Sequence, residues 1–145
     1  MEALFQMIEN IKALDEGVEF ARFMQNDQAK IYAINLNKWE QLYGRGVDAN
    51  GVPLGYYREK TKSLKNDPEL SHITLRETGD FYNTFKIFVG HNFIEISADT
   101  RKGKDDLEDI HGDILGLDED SKEALGEYMI NNGFIEQIRE NILKH

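Results

Sequence analysis

At 145 residues the chain has the commonest size of one domain, which buries roughly 68–70% of its unfolded surface, so residues 1–145 are expected to form a single domain around one core. An apolar share of 40% and an aromatic share of 10% exclude disorder for want of core residues, and the lack of cysteine excludes disulfide staples, thiolate nucleophiles and sulfur-ligated zinc. The net charge of -10 is uneven: residues 1–65 hold 9 Lys/Arg and 9 Asp/Glu, whereas residues 66–145 hold 8 and 18. Ten of those acids fall between Asp105 and Glu127 against Lys122 alone, which opposes binding of nucleic-acid phosphate and favours a basic partner.

No run approaches the roughly 20 apolar residues that cross a bilayer, and the first residues lack the charged-then-apolar layout of a secretory signal. The expectation is a soluble protein made in the cytoplasm, with no membrane partner.

Leu4, Ile8 and Ile11, with Phe5 alongside, predict a helix over residues 2–14. A break near Asp15 to Gly17 precedes a second amphipathic piece carrying Val18, Phe20, Phe23 and Met24, bounded by Asn26-Asp27. Residues Ile31 to Leu36 alternate Tyr32, Ile34 and Leu36 with Ala33 and Asn35, although Tyr32, Leu36, Trp39 and Tyr43 also share a helical face. The strand is preferred because Asn37 followed by Glu40 resembles a capping box opening a short helix through Trp39 to Tyr43, which Gly44 ends. In that helix Trp39, with Leu36 and Tyr43, is expected to be core.

Residues 46–65 carry Asn50-Gly51, Val52-Pro53 and Gly55 and predict turns with short extended pieces; Asp67-Pro68 marks another turn. Thr78-Gly79-Asp80 reads as a turn that starts a short helix. A hairpin follows, with Phe85, Ile87 and Val89 alternating, Gly90-His91-Asn92 turning, and Ile94, Ile96 and Ala98 alternating again. A lone two-stranded hairpin is marginal in water, so a third strand is expected, and residues 31–36 are its best source. Leu107 and Ile110 sit in an acidic helix, Ile114 to Leu117 form an apolar link, and Asp118 or Asp120 caps a helix that packs Leu125, Tyr128 and Met129 inward. Asn131-Asn132-Gly133 stops it, and Phe134, Ile135, Ile138, Ile142 and Leu143 form a last amphipathic helix. The fold class is thus α+β: a small antiparallel sheet, hairpin 85–98 plus a strand near 31–36, packed against N- and C-terminal helices.

The sequence offers no catalytic residue and calls for no cofactor. Gly103-Lys104 ends like a phosphate loop, but Ala98 stands where its first glycine belongs and Asp105 replaces the magnesium-binding hydroxyl. Gly44-Arg45-Gly46 lacks the third glycine of a dinucleotide fingerprint, and no Gly-x-Ser-x-Gly occurs. Residues 48–60 and 118–129 fail the calcium-loop pattern. Asp105, Asp109 and Asp113, at i, i+4 and i+8 near His111, are ordinarily a solvated helical stripe; read as ligands for magnesium or calcium they would define a small metal-dependent enzyme. Tyr56, Tyr57, Arg58, Lys60, Lys62 and Lys65 could stack and neutralise nucleic acid, but the acidic second half repels it, and a partner-facing or self-packed loop fits better. The expected interaction residues are Tyr56, Tyr57, Arg58, Lys60 and Lys62 on one side and Asp105, Asp106 and Asp109 on the other. Such opposite surfaces on one chain attract each other between copies and close into a ring where the rotation permits.

Taken in order, Asn35-Leu36-Asn37, Gln41-Leu42-Tyr43, Gly46-Val47-Asp48 with Asn50-Gly51, the run Leu75 to Phe85, and Asp113-Ile114-Leu115-Gly116-Leu117 resemble small virion-morphogenesis proteins of tailed bacteriophages, of the tail-completion or head-to-tail joining type. The resemblance spans about residues 30–130 and includes a Leu-x-x-Thr-Gly-x-x-x-x-Thr spacing similar to that family's. It implies a non-enzymatic structural protein, located in the host cytoplasm during assembly and then in the virion, with neck, tail or portal-associated proteins as partners and a homo-oligomeric ring as its form. It carries over no active site. The alternative from charge alone is an acidic inhibitor that imitates nucleic-acid phosphate and occupies a basic, nucleic-acid-binding protein.

Overall fold

A computed structural model describes residues 15–56, 72–76 and 80–143. Helix α1 (Glu16–Phe23) opens at Asp15, whose carboxylate accepts from the Gly17 and Val18 amides, and α2 (Asp27–Asn35) opens at Asn26, whose side chain accepts from Gln28 and Ala29. Both boundaries follow from the preference of Asp and Asn for N-cap positions, where they satisfy orphan amides. The helix expected over residues 2–14 lies outside the described residues.

The expected strand at residues 31–36 is instead the end of α2. Its buried positions are Ala29, Ala33 and Leu36, spaced as a helix face, while Ile31 is exposed. The cap at Asn26 and the small, helix-favouring alanines outweigh the alternation of Tyr32, Ile34 and Leu36. Nor does Asn37 open a new helix. The chain continues without a cap into a π-helical segment, α3 (Leu36–Arg45), with Asn37 fully buried inside it. The segment ends at Gly46, not Gly44, because Gly46 takes the left-handed conformation (φ 66°) that only glycine adopts readily, against the His72 ring.

Beyond α3, Val47 bridges Pro53 and Tyr56 bridges His72, as expected for turns with short extended pieces. A one-turn helix, α4 (Asp80–Asn83), leads into the expected hairpin of β1 (Lys86–Val89) and β2 (Ile94–Ser97), antiparallel with Ile87 opposite Ile96 and Val89 opposite Ile94. A second ladder, β3 (Arg101–Lys102) with β4 (Asp105–Asp106), precedes α5 (Leu107–His111). Helix α6 (Glu119–Asn131) starts at the Asp118 cap, and α7 (Phe134–Leu143) follows. The class is α+β, with two small antiparallel sheets of two strands each among the described residues; no third strand joins the hairpin there.

Two apolar clusters form. The first joins Phe23 and Met24 of α1, Ala29, Ala33 and Leu36, and Leu125 and Met129 of α6, with Ile87, Val89 and Ile94 of the hairpin packed against them. Tyr32 stacks on Tyr128 at 4.2 Å between ring centres. The second joins Leu42, Leu75, Phe81, Tyr82, Leu107 and Ile114. Trp39, expected in the core, sits at the boundary at 38% exposed, touching Tyr43 and Tyr82 with its edges while Arg76 covers its face at 5.1 Å. Helix α7 is tied to α1 by polar contacts: the buried Glu19 carboxylate accepts from Gln137 (2.8 Å) and from Asn141, as well as from Arg22.

Candidate functional site

The densest polar arrangement surrounds the link between α5 and α6. Asn37 Nδ2 donates to the Ile114 carbonyl (3.0 Å) and Asn37 Oδ1 accepts from the Gly116 amide (2.7 Å). One turn on, Gln41 Nε2 donates to the Gly116 carbonyl (2.8 Å) and Gln41 Oε1 accepts from the Asp118 amide (2.9 Å). Each side-chain amide thus meets one carbonyl and one amide two residues apart, as a neighbouring strand does in a ladder, and the link, which bends at Leu115 and Gly116, is held without a strand beside it. Arg45 then grips Asp118 with both terminal nitrogens, at 2.7 and 3.1 Å, and donates to Ser121 Oγ. The hydrogen bond from Arg45, then those from Ser121, hold the Asp118 carboxyl below the usual carboxylate range, and the same pair raises the Arg45 guanidinium.

The turn after α3 docks on this link as well. The Ala49 amide donates to the Asp113 carbonyl (2.8 Å) and Asn50 Nδ2 to the Asp113 carboxylate (3.2 Å), while Asp48 Oδ1 closes the turn by accepting from Asn50 and Val52. Leu75, Phe81 and Tyr82 pack on Leu42 and Ile114, and the Tyr82 hydroxyl donates to the Thr74 carbonyl. Asn37, Gln41, Asp48, Asn50, Leu75, Phe81, Tyr82, Asp113, Ile114 and Gly116, spread through the sequence, therefore meet in one unit.

The two expected interaction surfaces fare differently. Tyr56 is 75% exposed, and Tyr57, Arg58, Lys60 and Lys62 lie outside the described residues. The expected helical stripe of Asp105, Asp109 and Asp113 does not form, because Asp105, like Asp106, belongs to β4 and Gly112, at φ 80°, ends α5 before Asp113. Asp106 is instead the α5 cap, accepting from the Glu108 amide (2.9 Å) and from Thr100 Oγ1 (2.8 Å). Across the short ladder Lys102 stands opposite Asp105 and Arg101 opposite Asp106, so basic neighbours temper this end of the acidic run. Burial, and then Lys102, push the nearby His111 imidazole below its ordinary value. Among the described residues no three carboxylate or imidazole side chains converge on a common cation position.

Two openings flank α6. One, of about 630 Å³, lies between Tyr32, Trp39, Glu40 and Arg45 on α2 and α3 and Asp120 and Ala124 on α6. The other, of about 520 Å³, lies between β2 and α6: Ile94 and Ile96 form one wall, Leu125 and Met129 the other, with Phe20 and Leu117 beneath. Beside the second opening the hairpin presents Phe88 and Phe93, 60% and 48% exposed, with ring centres 6.1 Å apart. Sequence reasoning missed this apolar surface because it followed the alternating Ile and Val side chains and gave no role to the residues between them. The spacing was informative, since Phe88 is out of phase with Ile87 and Val89 and so has to face outward.

No protein-family model, curated protein or solved structure matches this chain.

Proposed function

We propose that this chain is a non-enzymatic docking protein of tailed-bacteriophage assembly, completing or joining the neck or tail through ring-type protein contacts. It acts in the host cytoplasm during assembly and stays in the virion. The observation that carries this reading is the convergence of the separated motif pieces. Asn37, Gln41 and Leu42, Asp48 and Asn50, Leu75, Phe81 and Tyr82, and Asp113, Ile114 and Gly116, drawn from the five separated pieces, meet around one clamped link. The pieces that carry the resemblance thus contribute to one packed unit.

Two further observations support it. Three of the buried polar side chains, Asn37, Gln41 and Asp118, bond to backbone or to Arg45, so they act as framework. Large apolar side chains instead stand exposed on the hairpin, the kind of surface that marks docking.

The test is cross-linking with mass spectrometry on intact particles produced from a genome carrying this gene. The chain should cross-link to portal, neck or tail subunits at a fixed stoichiometry. Its absence from purified particles, with capture of basic DNA-binding host proteins instead, would select the acidic inhibitor.

A further inference from the structure

Among the described residues the β1–β2 hairpin is a sheet of two strands. Its closing bond runs from the Gly90 amide to the Phe93 carbonyl at 2.8 Å. Hydrogen-bonded and non-bonded pairs alternate along an antiparallel ladder, so Phe88–Glu95 and Lys86–Ser97 are the bonded pairs. The backbone groups of Ile87 and Val89 then point out of one edge and those of Ile94 and Ile96 out of the other. Among the described residues neither edge pairs with a further strand. Open edges are templates for strand addition, and a two-stranded ribbon gains most from it.

Building on the docking role proposed above, we infer that the open edges pair with each other between copies of this chain, β2 of one copy running antiparallel to β1 of the next. Charge argues for a second copy as the occupant. The exposed face carries Lys86 on β1 and Glu95 on β2, opposite signs on opposite edges of one ribbon. The register that sets Glu95 against Lys86 of the next copy also sets Ile94 against Ile87 and Ile96 against Phe85, so the outward backbone groups face one another and the inner face stays apolar throughout. A slip by one residue would turn charged side chains inward, and a slip by two would trade the Lys86 contact for Phe88. The apolar cleft between β2 and α6 lies beside the β2 edge, where the added strand enters, and Phe88 and Phe93 on the same ribbon lose exposure. Each junction uses two different edges, so the contact is heterologous and propagates to a ring or a filament.

The test uses the full chain and two charge reversals, Lys86→Glu and Glu95→Lys, both at exposed positions. Sedimentation velocity at low salt, where an exposed pair is least screened, should show wild-type assemblies and about tenfold weaker association for each variant alone, because like charges then face each other across every junction. A one-to-one mixture of the two variants should recover assembly, since Glu95 of one meets Lys86 of the other, and the introduced Lys and Glu meet at the next junction. Misfolding cannot produce that recovery. Variants that associate like wild type, a mixture no heavier than its components, or a wild type that stays monomeric throughout would each overturn the inference. Particles that retain the chain without such self-association would leave the virion reading standing, while intact self-association in a chain absent from particles would sink only that reading.

Discussion

The clamped link and the hairpin are held in opposite ways. Around residues 113–118 the backbone is fixed by directional bonds from Asn37 and Gln41, Arg45 holds the Asp118 carboxylate, and a fully buried Ile114 seals the unit. The hairpin is fixed by its own four-pair ladder, by a bond from the Asp99 amide to Thr84 Oγ1 at its base and by non-directional packing of Ile87, Val89 and Ile94, and among the described residues no further strand covers its edges. A buried polar unit tolerates few changes because any lost partner leaves a desolvated group behind, whereas an open ribbon tolerates surface changes that alter only what it meets. The difference separates framework from docking surface.

The largest effect should come from Asn37→Leu, which strands the Ile114 carbonyl and the Gly116 amide without partners; a loss of about 3–4 kcal/mol is expected in urea unfolding. A loss under about 1 kcal/mol would mean the amide clamp is dispensable. Asp118→Ala removes the α6 cap and leaves Arg45 and the Ser121 amide short of a partner, and should cost about 3 kcal/mol. Asp118→Asn keeps most of the cap and should cost about half as much.

The same carboxyl gives the comparison a pH dependence. Its pKa is lowered on folding, so its stabilisation is complete above the unfolded value of about 3.9 and fades as pH falls through the lower native value. The stability gap between wild type and Asp118→Asn should therefore be constant between about pH 5 and 8 and close below about pH 4. A gap that instead opens on acidification would contradict the Arg45–Asp118 assignment. The smallest stability effect belongs to the hairpin: Phe88→Ser should change unfolding by no more than about 0.5 kcal/mol while reducing association in sedimentation.

Local signals made much of this fold readable. Asp118 caps α6 as expected, the expected break at Asp15 and boundary at Asn26 fall where helices open, and the phases of residues 85–98 locate the hairpin. Residues 31–36 misled because Tyr32, Ile34 and Leu36 satisfy a period of two while Ala29, Ala33 and Leu36 satisfy the helical period, and the deciding burial is tertiary. Asn37 misled for a related reason. An Asn before a Glu at the right spacing looks like a cap, but its partners lie 77 and 79 residues away, beyond any local pattern. A usable hint was present: Asn37 and Gln41, two amides four apart among Leu36, Trp39 and Leu42, lie where a solvated face would favour charge. The acidic run was legible in composition alone, since the pairing of Asp105 and Asp106 with Lys102 and Arg101 depends on a turn at Gly103.

Residue-resolved amide hydrogen exchange, followed across protein concentration, tests the division between closed framework and open ribbon most directly. The Gly116 and Asp118 amides should be protected at every concentration, while those of Ile94 and Ile96 exchange freely in dilute protein and gain protection as copies assemble. Ile94 and Ile96 amides as protected in dilute monomer as those of Phe88 and Glu95 would mean that the β2 edge is already occupied, and the account would fail.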